Sequence, residues 1–192
     1  MEKDRLLAFS DGVIAIIITI MVLELHAPHD SSLQALGASA PTFMAYVLSF
    51  AYVAIYWVNH HHMMHTVERV NGAILWANMV LLFFLSLLPF TTAWLGETHG
   101  AKWPTVVYGL SLLTPAFSYF VLQSLIIREH GQDHVLKRAI GGDWKSPVSI
   151  LLYVAGVASA FYDPRIAQGC FVAVALLWLV PDRRIEKMIV GK

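Results

Sequence analysis

Residues 6–25 form a run of twenty amino acids in which only Asp11 and Glu24 carry charge. Crossing the hydrocarbon core of a bilayer takes about 20 apolar residues in a helix, so this run fixes the solvent before anything else about the chain is known. A cleavable leader is not expected, because the run exceeds a leader's apolar core, contains Asp11 and has no small-residue cleavage site behind it. Five further stretches read the same way: residues 42–64, 73–95, 103–127, 147–162 and 166–180. The last two are short, yet free of Asp, Glu, Lys and Arg, and Tyr162-Asp163-Pro164-Arg165 between them is a turn followed by a helix start. Composition agrees, with 57% hydrophobic and 14% charged residues and a mean hydropathy of +0.62. The expectation is an all-α membrane protein, a single domain over residues 1–192 with six transmembrane helices.

Six spans sort the basic residues. Lys3, Arg5, Arg69, Arg128, Lys137, Arg138, Lys145, Arg183, Arg184, Lys187 and Lys192 fall on one side, eleven in all, against Lys102 and Arg165 on the other. The positive-inside rule then puts both termini in the cytoplasm, and dropping one span would scatter these residues over both faces. The six tryptophans (57, 76, 94, 103, 144 and 178) lie near the ends of the runs or within a few turns of them, which suits an interfacial belt. Pro89 and Pro115 lie inside runs three and four, where a missing N–H bends a helix. The loop at 128–145, with Gly131, Gly141 and Gly142, is the longest cytoplasmic connection and has room for a short helix.

Several function classes drop out. Thirteen basic residues balance thirteen acidic ones, so no bulk field draws nucleic acid. Cys170 has no partner for a disulfide, and no Cys-x-x-Cys or Cys/His spacing suggests structural zinc. Neither a phosphate-binding glycine loop nor a nucleophile elbow occurs. The chain reads as no enzyme, with no cofactor.

The first run holds the residues that demand a reason. Arg5, Ser10, Asp11, Thr19 and Glu24 sit in an otherwise aliphatic helix, and ionisable groups in hydrocarbon mark functional sites by default. At about 100° per residue, Gly12, Ile16, Thr19, Ile20 and Leu23 share one stripe, while Ser10 and Asp11 point elsewhere. Ordinary helix packing or lipid contact would leave such a stripe, and periodicity does not separate a pore face from a lipid face. Asp11 needs partners at its own depth. Topology brings Trp57, Asn59, His60, His61, His62 and His65 of run two, and Asn71, Trp76 and Asn78 of run three, to that depth. Imidazole or amide donors are expected to hold the carboxylate. The i, i+4 pair His61 and His65 also suits a shared metal ion, but His26, His29, His99, His130 and His134 read as loop residues on both sides and build no single site with them. A proton path along Asp11 and these histidines stays open.

The run Arg5-Leu6-Leu7-Ala8-Phe9-Ser10-Asp11-Gly12 and the aliphatic stretch to Leu25 resemble the first-helix signature of the transmembrane protein 175 family of potassium channels, Arg, three residues, then Phe-Ser-Asp. Trp57-Val58-Asn59-His60-His61, Trp76-Ala77-Asn78 and Leu88-Pro89-Phe90 look like that family's second and third helices. The likeness rests on motifs in three helices and on length and hydropathy in the other three. It implies a prokaryotic single-repeat form: a homotetramer, multi-pass in the cell inner membrane, in which four first helices line the pore for monovalent cations with potassium as the permeant ion. Carried along the signature, the narrowest rings fall at Ile16, at Thr19 or Ile20, and at Leu23. Glu24 stands at the outer mouth, although a solvated helix end accounts for it equally well. Arg5, Phe9, Ser10, Asp11, Trp57, His60, His61 and Asn78 would form a polar structural network. No Thr-Val-Gly-Tyr-Gly filter is present, so selectivity has to arise at side chains.

Overall fold

The computed structural model describes residues 3–28, 30–131, 136–137 and 144–179, and over that range the chain is helical. In order the helices are α1 (Lys3–Leu23), α2 (Leu33–Ala38), α3 (Ala40–His65), α4 (Gly72–Leu85), α5 (Leu88–Glu97), α6 (Lys102–His130), α7 (Lys145–Ser159) and α8 (Pro164–Leu179). Four spans are long and apolar enough to cross a membrane: α1, α3, the α4–α5 pair taken together, and α6. The last two helices have 15 and 16 residues. At 1.5 Å per residue they reach only about 23 Å, against a hydrocarbon core of about 30 Å. The basic residues Arg138, Arg183, Arg184, Lys187 and Lys192, the loop positions Gly141 and Gly142, and most of the short helix expected near them lie outside the described residues.

Pro89 does more than bend its helix. A proline cannot donate to the carbonyl four residues back, here Leu85, and its ring presses on that oxygen. The helix ends at Leu85, Ser86 and Leu87 turn, and a new helix begins with Pro89 in its first turn. Pro115 sits within α6 without ending it. One helix escaped the sequence reading: α2, six residues capped by Ser32, whose Oγ accepts from the Ala35 N–H at 3.2 Å.

Apolar surface gains little by moving from lipid into protein, so packing and buried polar bonds must hold such a bundle together. Small residues permit the close contacts. A Cβ at Gly109 or at Gly156 would lie 2.6 Å from the ring of Phe171, so α6, α7 and α8 meet over that phenyl group. Buried hydroxyls add directional bonds: Thr92 Oγ1 donates to Ser49 Oγ at 2.7 Å, and Ser49 Oγ and Tyr108 OH are hydrogen-bonded at 2.9 Å, joining α5, α3 and α6. Helix α1 packs on α3, α4 and α5 at one side of this bundle.

Candidate functional site

Helix α1 has two unlike faces. Leu6, Ser10, Ile14, Ile17 and Met21 are buried against the bundle. On the opposite side Ile16 is 57% exposed, Ile20 41% and Leu23 75%, Thr19 is exposed, and a Cβ added to Gly12 would meet nothing within 4 Å. The stripe of Gly12, Ile16, Thr19, Ile20 and Leu23 is therefore bare within one subunit. Thr19 Oγ1 donates to the Ile16 carbonyl at 2.8 Å, which ties up its proton and leaves oxygen lone pairs turned away from the helix. Glu24 follows in the turn after α1 and, with Ile16 and Ile20, borders an open groove whose far wall is Pro89, Phe90 and Ala93.

The polar back is built from three helices. His60 Nε2 lies 2.7 Å from Asn78 Oδ1, and Asn78 Nδ2 donates to Ser10 Oγ at 2.9 Å. Ser10 in turn donates to the Leu6 carbonyl at 2.8 Å. Because an amide oxygen only accepts, the His60 proton is on Nε2. All three side chains are buried, and each link of the chain is satisfied. Asp11, half-buried, accepts from the indole Nε1 of Trp57 at 3.0 Å. This corrects the expectation of an imidazole or amide donor for the carboxylate: His60 is turned to Asn78, and the residue one turn earlier on α3 takes Asp11.

His61 sits between Trp57 and His65, with ring centroids 5.7 and 4.4 Å away, tilted to the indole and edge-on to the second imidazole. The Nδ1 atoms of His60 and of His61 are buried with no hydrogen-bond partner. Among the described residues no group of three His, Cys, Asp or Glu side chains is placed to hold a metal ion. Arg5 is exposed and Phe9 is 50% exposed, and among the described residues neither is drawn into the network. Lys3, which motif reasoning passed over, donates to the His65 carbonyl at 2.8 Å and ties the start of α1 to the end of α3. A lysine two residues ahead of Arg5 carries no signal that would have singled it out. His130 is the last residue of α6, not a loop residue as its position in the sequence suggested.

A helical bundle with four spans long and apolar enough to cross a membrane, one of them braced from behind by a buried polar seam, defines the class: a multi-pass membrane protein. The comparisons agree with the class and narrow it. The family described as endosomal/lysosomal potassium channel TMEM175 matches residues 5–89. A protein named potassium channel from a Chryseobacterium strain is 53% identical over 98% of each chain. The crystal structure of a protein titled a lysosomal potassium-selective channel TMEM175 homolog, from Chamaesiphon minutus, superposes with a TM-score of 0.81 at 28% identity, covering 94% of this chain and 98% of the other. The human relative, named endosomal/lysosomal proton channel TMEM175, is 36% identical over 46% of this chain and 20% of its own length. The chain belongs to the TMEM175 family, which is a family of ion channels.

Proposed function

We propose that this chain is the subunit of a homotetrameric, potassium-permeable cation channel in a prokaryotic inner membrane, with six spans, both termini cytoplasmic and the pore enclosed by four copies of α1. One observation carries the reading. The buried face of α1 (Ile14, Ile17 and Met21) is filled by its own subunit, while Ile16, Thr19, Ile20 and Leu23 remain exposed along an open groove that the subunit does not close. Four such faces turned toward one axis would cover each other's stripe and enclose a pathway that one copy cannot. The potassium-channel naming of the Chryseobacterium relative supports the choice of ion, and the eleven-to-two distribution of basic residues supports the orientation.

In this reading Ile16 is the tightest ring. Four sec-butyl groups offer no oxygen to a passing ion, so the constriction holds back water and ions together until it dilates. Potassium sheds water more readily than sodium and is favoured to a modest degree. Thr19, its hydroxyl proton committed to Ile16, turns lone pairs toward the pathway and is the nearest approach to a ligand ring. Ile20 and Leu23 continue the apolar lining. Glu24 at the outer mouth raises the local cation concentration. Ser10, Asp11, Trp57, His60 and Asn78 keep α1 in place and do not touch the ion. Conduction is passive and uses no cofactor.

A second reading, proton permeation along Asp11 and the α3 histidines, is favoured by the two unpartnered Nδ1 atoms of His60 and His61 and by the naming of the human relative. One experiment decides between them. Purified protein in liposomes is given potassium, sodium and proton gradients in turn. The channel reading expects reversal potentials that follow potassium and are nearly indifferent to a pH gradient. Potentials that follow pH alone would overturn it in favour of the second.

A further inference from the structure

Residues 66–71 connect α3 to α4, and the end of α6 holds this connection down. The backbone N–H groups of Glu68 and Arg69 both point at one atom, Nε2 of His130, at 3.0 and 3.1 Å. The other ring nitrogen, Nδ1, lies 2.9 Å from the carbonyl oxygen of Ile126, one turn back on α6. A carbonyl only accepts and a backbone N–H only donates. The arrangement therefore admits one protonation state of the imidazole, with hydrogen on Nδ1 and the lone pair on Nε2. Beside it, Asn71 Nδ2 donates to Glu129 Oε2 at 2.7 Å while Asn71 Oδ1 accepts from the Ile74 N–H at 2.9 Å to cap α4. Two consecutive residues of α6 thus hold the middle of the connection and its α4 end.

We infer that His130 is an acid-labile latch through which pH on the face carrying the α3–α4 connection controls flux through the channel. The inference rests on the channel reading for its consequence, but not for its chemistry. A second proton on the ring must go to Nε2, where it would face two N–H donors that have lost their acceptor, and the connection has to move away. The latch is whole while the imidazole is neutral and is lost as pH falls, and histidine is the side chain whose charge ordinarily changes between about pH 5 and 8. Among the described residues, the charged and titratable groups on the elements that meet there are Arg128 and Glu129 on α6, Glu68 and Arg69 in the connection, His65 at the end of α3, and Lys3 of α1, which is bonded to the His65 carbonyl; Asp133, His134 and Lys137 follow in the sequence. Among the described residues, Glu129 is the acidic group bonded into the connection, through Asn71.

The coupling to conduction runs through the helices that the connection joins. Helix α3 supplies Trp57 to Asp11 and His60 to Asn78, and α4 supplies Asn78 to Ser10. Freeing the connection loosens both supports of α1 at the end where its polar bonds are concentrated.

Hydrogen exchange on the full chain in detergent micelles tests the latch directly, with rates corrected for intrinsic exchange. Protection of the 67–71 segment should fall by about tenfold or more between about pH 8 and about pH 5.5. His130→Gln, which sets an amide oxygen near the Nε2 position, should hold its protection across that range, and Glu129→Gln should keep the wild-type response. Equal protection of the wild type at both pH values, or the same loss in His130→Gln, would overturn the latch. In liposomes with a potassium gradient, wild-type flux should fall several-fold over the same pH interval and His130→Gln flux should not. Flux that ignores pH while exchange responds would overturn the regulatory role. A wild type that passes no potassium at any pH would sink the channel reading, and with it the control of flux, while the exchange profile would still decide the latch.

Discussion

Asparagine placed at Ile16 or at Ile17 separates the face proposed to line the pore from the packing face by one residue. The two positions differ by about 100° around α1, and the structure gives them opposite surroundings, 57% exposure for Ile16 against 3% for Ile17. Ile16→Asn removes only the partial packing of an exposed side chain at the edge of the groove, so its cost to folding should stay at about 0.5 kcal/mol, the usual size for an exposed substitution. Ile17→Asn puts an amide into a tight apolar contact. An unsatisfied buried polar group costs about 1–3 kcal/mol, and lost side-chain packing adds about 1 kcal/mol more, in each subunit of the proposed tetramer. The effect on conduction runs the other way. A ring of four amides stays wet where four sec-butyl groups stay dry, and every 1.4 kcal/mol or so taken from the barrier is worth tenfold in rate. Liposome potassium flux should rise by about tenfold or more in Ile16→Asn, with discrimination against sodium reduced. Ile17→Asn should instead show poor expression and a lowered melting temperature with no added leak. If Ile17→Asn opened the channel while Ile16→Asn left conductance and selectivity unchanged, the face assigned to the pore would be wrong, and the stripe would revert to a lipid or packing surface.

Three other perturbations test the frame around that helix. Asn78→Leu strands the His60 Nε2–H and the Ser10 oxygen together, at about 1–3 kcal/mol for each buried group left unpaired; the melting temperature of the solubilised protein should fall by several degrees, and an unchanged value would remove this triad from the account. Asp11→Ala should lose assembly or flux, and Trp57→Phe, which keeps the ring but not the donor, should reproduce a milder form of it; normal expression, assembly and flux in both would refute the brace, and loss of proton flux alone would favour the second reading. Native mass measurement in mild detergent should give four subunits, since a monomer that conducts would leave no role for the bare stripe.

How much of this was legible beforehand depends on what kind of regularity each feature leaves in the sequence. Long apolar runs announce themselves, so α1, α3 and α6 emerge close to where residue order puts them. The α4–α5 break does not, because Pro89 signals only that one hydrogen bond is missing, and whether a helix bends or restarts is settled by what the freed carbonyl of Leu85 meets. The back of α1 was legible in membership but not in pairing. Depth arguments bring Asp11, the α3 histidines and Asn78 to one level, yet they resolve about one helical turn. Trp57 and His61 stand one turn apart on α3, and the indole, not an imidazole, reaches the carboxylate. Periodicity marked Ile16, Thr19, Ile20 and Leu23 as one stripe, but a stripe says nothing about whether its neighbour is lipid, another helix or water. His130 was misplaced for a simpler reason: the apolar pattern stops at Ile127, while the helix runs three residues further and ends on the bonds its imidazole makes.

The polar back of α1 also explains how an apolar stripe can be aimed. A smooth aliphatic helix in lipid has little to fix its rotation, because Ile16 against Ile17 is no choice at all for a hydrophobic contact, and a turn of about 100° would exchange them. Directional bonds supply the missing constraint. Ser10 and Asp11 are adjacent and so point about 100° apart, one bonded to α4 through Asn78 and the other to α3 through Trp57. Two bonds at different azimuths to two different helices fix the rotation of α1 as a single bond would not, and the Lys3 bond to the end of α3 adds a tie at the start of the helix. With the rotation set by residues 10 and 11, the side chains at 16, 20 and 23 are left bare and those at 14, 17 and 21 are buried. The charged and hydroxyl-bearing residues of the first run are thus the cause of which isoleucine is presented, which is why substitutions that never meet an ion should still govern conduction.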